Sequence, residues 1–419
     1  MRRSLQYDVI VAGGGTAGVA AALGAARAGA RTLLVERNPF LGGIATFGGV
    51  NSFCGFFRGG QEKSQLVKGA GQMVLDSLAG LGEPVEPWVN GFGRAIINYD
   101  LEMLKYALDC LLTEYHVDFL LHTRLADVLL SADRIVRALC LDDEGSFAVE
   151  AGNFVDATGD GNLARMAGAP FLYGEDGAVQ AATLVMVLGG ADAGRNYTAD
   201  DVEAALKKGR DNGIGPMTKM RTSVWKSQKG ESLVLELANY PLRSLDAESI
   251  TRAECEGRKL AHVYVRAFRA YLPGMENCFL QISGPGIGIR ESRRIVGRRE
   301  LKAEHILAGE KFPEERIGYG TWPVELHDDV TKMSRNTDVG GDGCYGIPLG
   351  CLRPRNPENL WCAGRNICAD HEALASARVM GACFVTGQAA GVAAALTDDG
   401  GCCRMEDVRK ELLRQGAIL

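Results

Sequence analysis

The 12 cysteines include no C-x-x-C pair and no paired metal-ligand spacing. Neither a zinc site nor a disulfide framework is therefore indicated, and the thiols are expected to be reduced, as in a cytoplasmic protein. The adjacent Cys402 and Cys403 are read as two ordinary thiols rather than a redox dithiol. A basic excess is also missing. The 46 Lys and Arg stand against 52 Asp and Glu, for a net charge of −6 and a pI of 5.7, which removes the footprint expected of a nucleic-acid or anionic-membrane partner. The chain has one segment of membrane-spanning length, Val379–Leu396, but Thr386, Gln388 and several Gly and Ala interrupt it. It is read as a buried helix facing a cofactor. Histidine is scarce, with six residues, so few side chains titrate near neutrality. Met1-Arg2-Arg3 imitates the start of a signal peptide, but the glycine turn that follows marks the segment as the first strand and helix of a domain.

Glycine, by contrast, is abundant at 54 of 419 residues, and the length implies two or three lobes. Tyr7–Ala12 is an apolar run suited to a buried parallel strand, and Gly13, Gly15 and Gly18 follow in G-x-G-x-x-G spacing. The first glycine permits the tight turn, the second lets backbone approach a pyrophosphate, and the third lets the next helix pack on the strand. A small-residue helix over 17–28 would present its N-terminal amides to an anion. A second strand, Arg31–Val35, runs into Glu36, near the spacing at which an acid takes ribose hydroxyls. The pattern specifies a dinucleotide site. Gly42-Gly43, beyond Glu36-Arg37, selects FAD over a nicotinamide, because the longer cofactor needs backbone beside its extended diphosphate and ribityl chain. This N-terminus resembles that of glutathione-reductase-type flavoproteins. Cys54 stands alone in the following loop, so a flavin-coupled disulfide is not expected; it is read as a small apolar filler.

Further along, helices are expected over 63–81, 101–111 (capped by Asn98 or Asp100), 200–209, 246–272 and 405–414. Strands are expected over 117–122, 125–130, 135–141, 147–151, 153–157 and 360–363. Arg290, Arg293, Arg294, Arg298 and Arg299 crowd one segment. Most are read as a solvated basic helix, with Arg290 assigned to the active site to fix a substrate carboxylate or developing negative charge. His371 is the candidate acid–base residue, with Glu372 as its orienting partner. His327 and Asp328 are read as a loop-stabilising contact, with lining of the substrate side as the alternative.

GGGTAG, LGGIAT, VDATGDGNLA, GIRESRRIVG, WPVELHD and the block from YGIPLGCL to GQAAG occur in this order. Together they resemble the bacterial FAD-dependent oxidoreductase family. The resemblance implies an α/β fold with a Rossmann-like FAD-binding domain of glutathione reductase type, built from discontinuous segments, and an inserted α+β substrate lobe. The expected boundaries are 1–165 and 346–397 for the FAD-binding domain, with a candidate insertion over 56–98. The lobe is expected at 166–345 and a helical tail at 398–419. It also implies adenine contacts from a turn at 124–126 and closure of Ala157-Thr158-Gly159 over the cofactor. The full expected cofactor set is Gly13, Gly15, Gly18, Glu36, Arg37, Gly42, Gly43, Ala126, Ala157, Thr158, Gly159, Gly364, Arg365, Gly381 and Ala382. The expected activity is hydride transfer between a small organic substrate and the flavin, by a dehydrogenase or reductase in preference to a monooxygenase. The electron donor or acceptor stays open, no metal is expected, and an oligomer is allowed. An FAD-dependent RNA-modifying protein and a non-catalytic flavin-binding protein stand as alternatives.

Overall fold

The computed structural model describes residues 5–60, 62–192, 194–226 and 232–419. Leu5–Ala12 pairs in parallel with Thr32–Val35, which in turn pairs in parallel with Asp118–Leu120. On its other side Leu5–Ala12 runs parallel to Gly145–Asp156. That single strand replaces the two expected over 147–151 and 153–157. Its first half closes an antiparallel meander with Arg134–Asp142 and Arg124–Ser131, and its end meets Leu360–Cys362 in parallel. The C-terminal segment thus returns to the N-terminal sheet.

Side chains alternate across this sheet with the period of a strand. Val9, Val11, Leu34, Val155 and Trp361 enter one hydrophobic cluster, shared with the helices. Ile10, Leu33, Phe154 and Leu360 enter another, beneath the meander. The helix face is closed by Thr16–Arg27 crossing Met380–Leu396. Small residues make that crossing close. A Cβ on Gly387 or Gly391 would overlap the carbonyl oxygen of Ala17 or Ala21, and one on Gly24 would lie 2.5 Å from the Gln388 carbonyl oxygen. Most of the glycine stripe is therefore spent on helix–helix contact, where close backbones gain dispersion energy. The helix is buried, as expected.

Two further expectations are corrected. The helix expected over 63–81 is Ala70–Gly80, because the segment before it is drawn along Phe56 by bonds from the Leu66 and Val67 amides to the Phe56 carbonyl. The basic segment forms no helix over 290–299: Gly284, Pro285, Gly286 and Gly288 precede it, and its ordered piece, Arg293–Ile295, is a strand paired with Phe171–Tyr173. Arg294 is among the most buried side chains of the molecule. Its guanidinium donates to the carbonyls of Ala369 and Gly174, each at 2.6 Å. The Asp100 carboxylate, not Asn98, caps Leu101–Glu114 by accepting from the Glu102 and Met103 amides.

A second layer is an antiparallel sheet in the order Val224–Lys226, Leu233–Tyr240, Ala182–Gly189, Phe279–Ser283. Helices Ala199–Asp211 and Ala247–Tyr271 cover it, capped by Thr198 and Asp246. Its core is a separate cluster drawn from residues 184–278. Leu301, Ile306, Val324 and Tyr345 instead share the core on the helix face of the first sheet, so the packing unit around the second sheet is narrower than 166–345. Among the described residues no single helix is long and apolar enough to cross a membrane; the helix pair His371–Ala377 and Met380–Leu396 passes only when joined across a 92° bend.

Candidate active site

The glycine turn is built by two close approaches and one opening. Gly13 has φ +98°, and a Cβ there would stand 2.5 Å from the Ala157 carbonyl oxygen. A Cβ on Gly18 would overlap the Gly13 carbonyl oxygen. Gly15 differs: the nearest atom its Cβ would meet is the Gly43 Cα, at 3.8 Å. The first and third glycines serve packing, while the second faces open space at the N-terminus of Thr16–Arg27, where amides and helix dipole favour an anion. Gly42 and Gly43 close the far side, with the Gly42 amide donating to the Gly14 carbonyl at 2.8 Å.

Glu36, at the end of the second strand, is buried. Its carboxylate accepts from the Gly14 amide at 2.6 Å and the Asn38 amide at 2.8 Å. Two amides hold the carboxylate in place, and its remaining lone pairs are available to diol hydroxyls. Arg37 is exposed and makes no hydrogen bond to this turn. The expected turn at 124–126 is the start of strand Arg124–Ser131, with a register break between Leu125 and Asp127 and Ala126 exposed; it is Thr123 whose amide donates to the Glu36 carbonyl, at 2.9 Å.

Ala157-Thr158-Gly159 lies against Gly13 and is anchored from below. Asp156 is wholly buried. It accepts from the Thr158 amide and hydroxyl at 2.9 and 2.7 Å and from the Ala164 amide at 2.8 Å. Burial outweighs these bonds and raises its carboxyl above the usual range. Arg365 reaches the same turn, pairing with Asp160 at 2.9 Å, and a Cβ on Gly159 would strike its guanidinium at 2.7 Å. A Cβ on Gly364 would touch the Ala17 side chain at 3.1 Å. Residues from 13–18, 157–160 and 364–365 therefore meet in one place. Gly381 is committed elsewhere: its amide donates to the Cys54 carbonyl at 2.9 Å and its Cα packs on Gly55. Ala382 is buried beside it.

Next to Arg365 opens a cavity of about 550 Å³. It is lined by Ile44, Val50, Cys54, Arg378 and Met380, by Thr183, Lys219 and Glu236 from the second layer, by Arg290 from the loop before Arg293–Ile295, and by Trp322, Glu325 and His327. Arg290 enters it as expected, but its fork is already engaged. It donates to the Ala181 carbonyl at 2.8 Å and to the Thr183 hydroxyl, and pairs with Glu236 at 2.7 Å. Burial pushes the Cys54 thiol up to about 12, which fits an inert filler.

His371 does not line this cavity. It is held between Glu291, 2.9 Å from Nδ1, and Asp328, 3.1 Å from Nε2. Burial alone would depress the imidazole, but the Glu291 and Asp328 carboxylates outweigh it and raise its pKa. The assignment of Glu372 as its partner is corrected. Glu372 faces Arg335 at 3.3 Å, because successive helical residues point about 100° apart. The histidine in the cavity wall is His327, with Glu325 3.5 Å from Nε2. Burial and the Arg290 and Arg378 guanidiniums hold it down at about 4. Lys219 went unmarked in the sequence, which offers no local signal for it. Glu236 had one, an acid inside the apolar run LVLELANY. Among the described residues no cluster of His, Cys, Asp and Glu could hold a metal ion.

A profile of the FAD-dependent oxidoreductase family matches residues 8–415. The chain belongs to that family. Its cofactor is FAD, and the open face at Gly15, the fixed Glu36 and the Arg365 corner fit that group. Thiamine thiazole synthase of Aeropyrum pernix is 38% identical over 88 residues, 21% of this chain and 28% of that protein, so the match spans little more than a quarter of that relative. Similar solved structures include a geranylgeranyl bacteriochlorophyll reductase-like protein from Thermoplasma acidophilum, with TM-score 0.48, 14% identity, and 99% of this chain and 83% of that one covered. A flavin-dependent brominase has TM-score 0.48 and 15% identity, with 93% and 80% covered.

Proposed function

We propose that this family member transfers a hydride between a small organic substrate and flavin N5, the electrons passing to or from a separate carrier, NAD(P)H or O2. The observation that carries the reading is the cavity beside Arg365, whose walls come from the nucleotide-binding layer on one side and the second layer on the other. FAD supplies two-electron hydride chemistry when bound. The amides around Gly15 would hold its pyrophosphate, Glu36 its ribose hydroxyls, and Gly42-Gly43 its extended linker.

The chain's own groups supply position and electrostatics. Glu236 braces Arg290 so that its charge is fixed in the wall. Glu325, fixed by the Trp322 indole N–H at 2.7 Å and the Ser334 hydroxyl at 3.0 Å, is well below the usual carboxylate range despite its burial, chiefly because His327 and Arg378 stabilise the anion. Val50, Trp225 and Trp322 line the cavity with apolar surface that limits water around a reacting substrate.

The test is anaerobic stopped-flow reduction of the FAD-loaded protein over a panel of small alcohols, amines and acids, with NADH and NADPH in parallel. Bleaching of the long-wavelength flavin band by a member of the panel supports a dehydrogenase or reductase. Reduction by NAD(P)H alone, followed by oxygen insertion into a substrate, would replace it with a monooxygenase. Flavin that no donor reduces would end the proposal.

A further inference from the structure

Of the cations in the cavity wall, Arg290, Arg365, Arg221 and Arg94 each have a carboxylate partner: Glu236 at 2.7 Å, Asp160 at 2.9 Å, Glu203 at 2.7 Å and Asp338 at 3.3 Å. Among the described residues, Lys219 and Arg378 have none. Lys219 is 4% exposed, and its ammonium donates to the Glu236 carbonyl oxygen at 3.1 Å. Arg378 donates from Nη2 to the Glu325 carbonyl oxygen at 3.1 Å, and its buried Nε has no partner. Burial lowers both, Lys219 to about 8 and Arg378 to about 10. The Glu236 and Glu325 carboxylates act on both only at longer range, and a desolvated cation without a close carboxylate partner is costly unless an anion visits it. His327 lines the same cavity; it is 7% exposed, and its buried Nδ1 has no hydrogen-bond partner among the described residues.

We propose that the cavity takes an organic carboxylate, held by Lys219 and Arg378, and that its arrival draws a proton onto His327. The inference deepens the oxidoreductase reading above and rests on it for the identity of the cavity as a substrate site.

The coupling follows from the charges around the imidazole. Glu325 lies on its own strand; Arg378 packs from the helical segment, Arg290 from the loop before Arg293–Ile295, and Lys219 and Glu236 from the second layer; the neighbouring Asp328 is engaged by His371. After burial, Arg290 and then Arg378 keep the ring neutral. A carboxylate on Arg378 cancels part of that field. An anion roughly 6 Å away, at an effective dielectric of about 20, shifts a proton equilibrium by about two pH units. His327 would move from about 4 towards about 6. An imidazole neutral in the empty cavity and charged in the loaded one is suited to exchange a proton with bound substrate.

The test is isothermal titration calorimetry of the FAD-loaded protein with benzoate, and with benzamide as its neutral isostere, in buffers of different ionisation enthalpy. Benzoate is expected to bind at least tenfold tighter than benzamide. At pH 5.5, where Lys219 at about 8 is already charged, benzoate binding should take up about 0.7 of a proton on His327; towards pH 8 the His327 share falls to near none and uptake there belongs to Lys219. Lys219→Met and Arg378→Met should each weaken benzoate roughly ten- to a hundredfold, with Arg378→Lys recovering part of the loss. His327→Gln should keep benzoate binding and lose the uptake. Equal affinity for the two probes overturns the anion site and needs no variant to be informative. Uptake at pH 5.5 that persists in His327→Gln overturns the proton assignment. Flavin occupancy and donor-driven bleaching are read on the same samples, so a failed titration on reducible flavin rejects this inference alone.

Discussion

The contrast between neighbouring glycines gives a prediction with opposite outcomes two residues apart. Gly15 has φ −69° and ψ −177°, ordinary for any residue, and its Cβ would meet nothing nearer than 3.8 Å. Gly15→Ala therefore costs the apo fold nothing by contact. Removing backbone freedom from the unfolded chain should make it neutral or more stable by up to about 1 kcal/mol. The same methyl occupies the space a pyrophosphate needs. Overpacking of a fitted contact costs about 1–3 kcal/mol, which is roughly a 5- to 150-fold loss of FAD affinity. Gly13→Ala is the opposite case: its φ of +98° strains any side chain and its Cβ would sit 2.5 Å from the Ala157 carbonyl oxygen, so the apo protein should lose several kcal/mol, of order 3 or more. Thermal unfolding of the apo proteins and fluorescence titration with FAD separate the two effects. A Gly15→Ala variant that melts well below the parent, or that binds FAD with parental affinity, would refute the reasoning.

Other outcomes follow from the same geometry. His371 gains from Glu291 and Asp328, and its folded pKa stands above 6.5, so its contribution is fully present below pH 6.5 and fades as pH rises through the raised value. Denaturant unfolding between pH 6 and 9 should show the parent losing more stability than His371→Gln; equal slopes would contradict the assignment. Glu372→Ala removes only the part-exposed pairing with Arg335 and should change stability by less than about 1 kcal/mol and leave flavin reduction unchanged. Gly391→Val drives a side chain into the Ala21 carbonyl and should destabilise by about 3 kcal/mol or more, measured by thermal melting. Iodoacetamide at pH 8 should label Cys255 and Cys402, which are exposed, while Cys54, pushed up to about 12 by burial, stays unmodified in mass spectra.

What local chemistry specifies was legible in the sequence. The strand–turn–helix from Tyr7, the acid at Glu36 and the cap at Asp100 each depend on residues a few positions apart, and Met405–Arg414 is a helix over its expected span. What depended on a distant partner was not. Glu372 adjoins His371 in sequence, yet the carboxylate that binds its Nδ1 is Glu291, 80 residues earlier. The small residues of Met380–Leu396 announce a close approach without saying to what, and the answer is Ala17 and Ala21. The clustered arginines looked solvated because charge usually is; Arg294 is buried because Ala369 and Gly174 offer carbonyls from two other segments. Lys219 and His327 line one cavity only because the second layer folds onto the first.

We propose that residues 13–18, 157–160 and 364–365 enclose one flavin nucleotide, its ring forming a wall of the cavity of about 550 Å³. A crystal structure of the FAD-loaded protein tests this most directly. It should show the pyrophosphate over Gly15, a ribose on Glu36, and the isoalloxazine ring beside Arg365 with its open face towards Arg378 and His327. A flavin bound away from the Gly15 turn, or a ring with no access to that cavity, would contradict it.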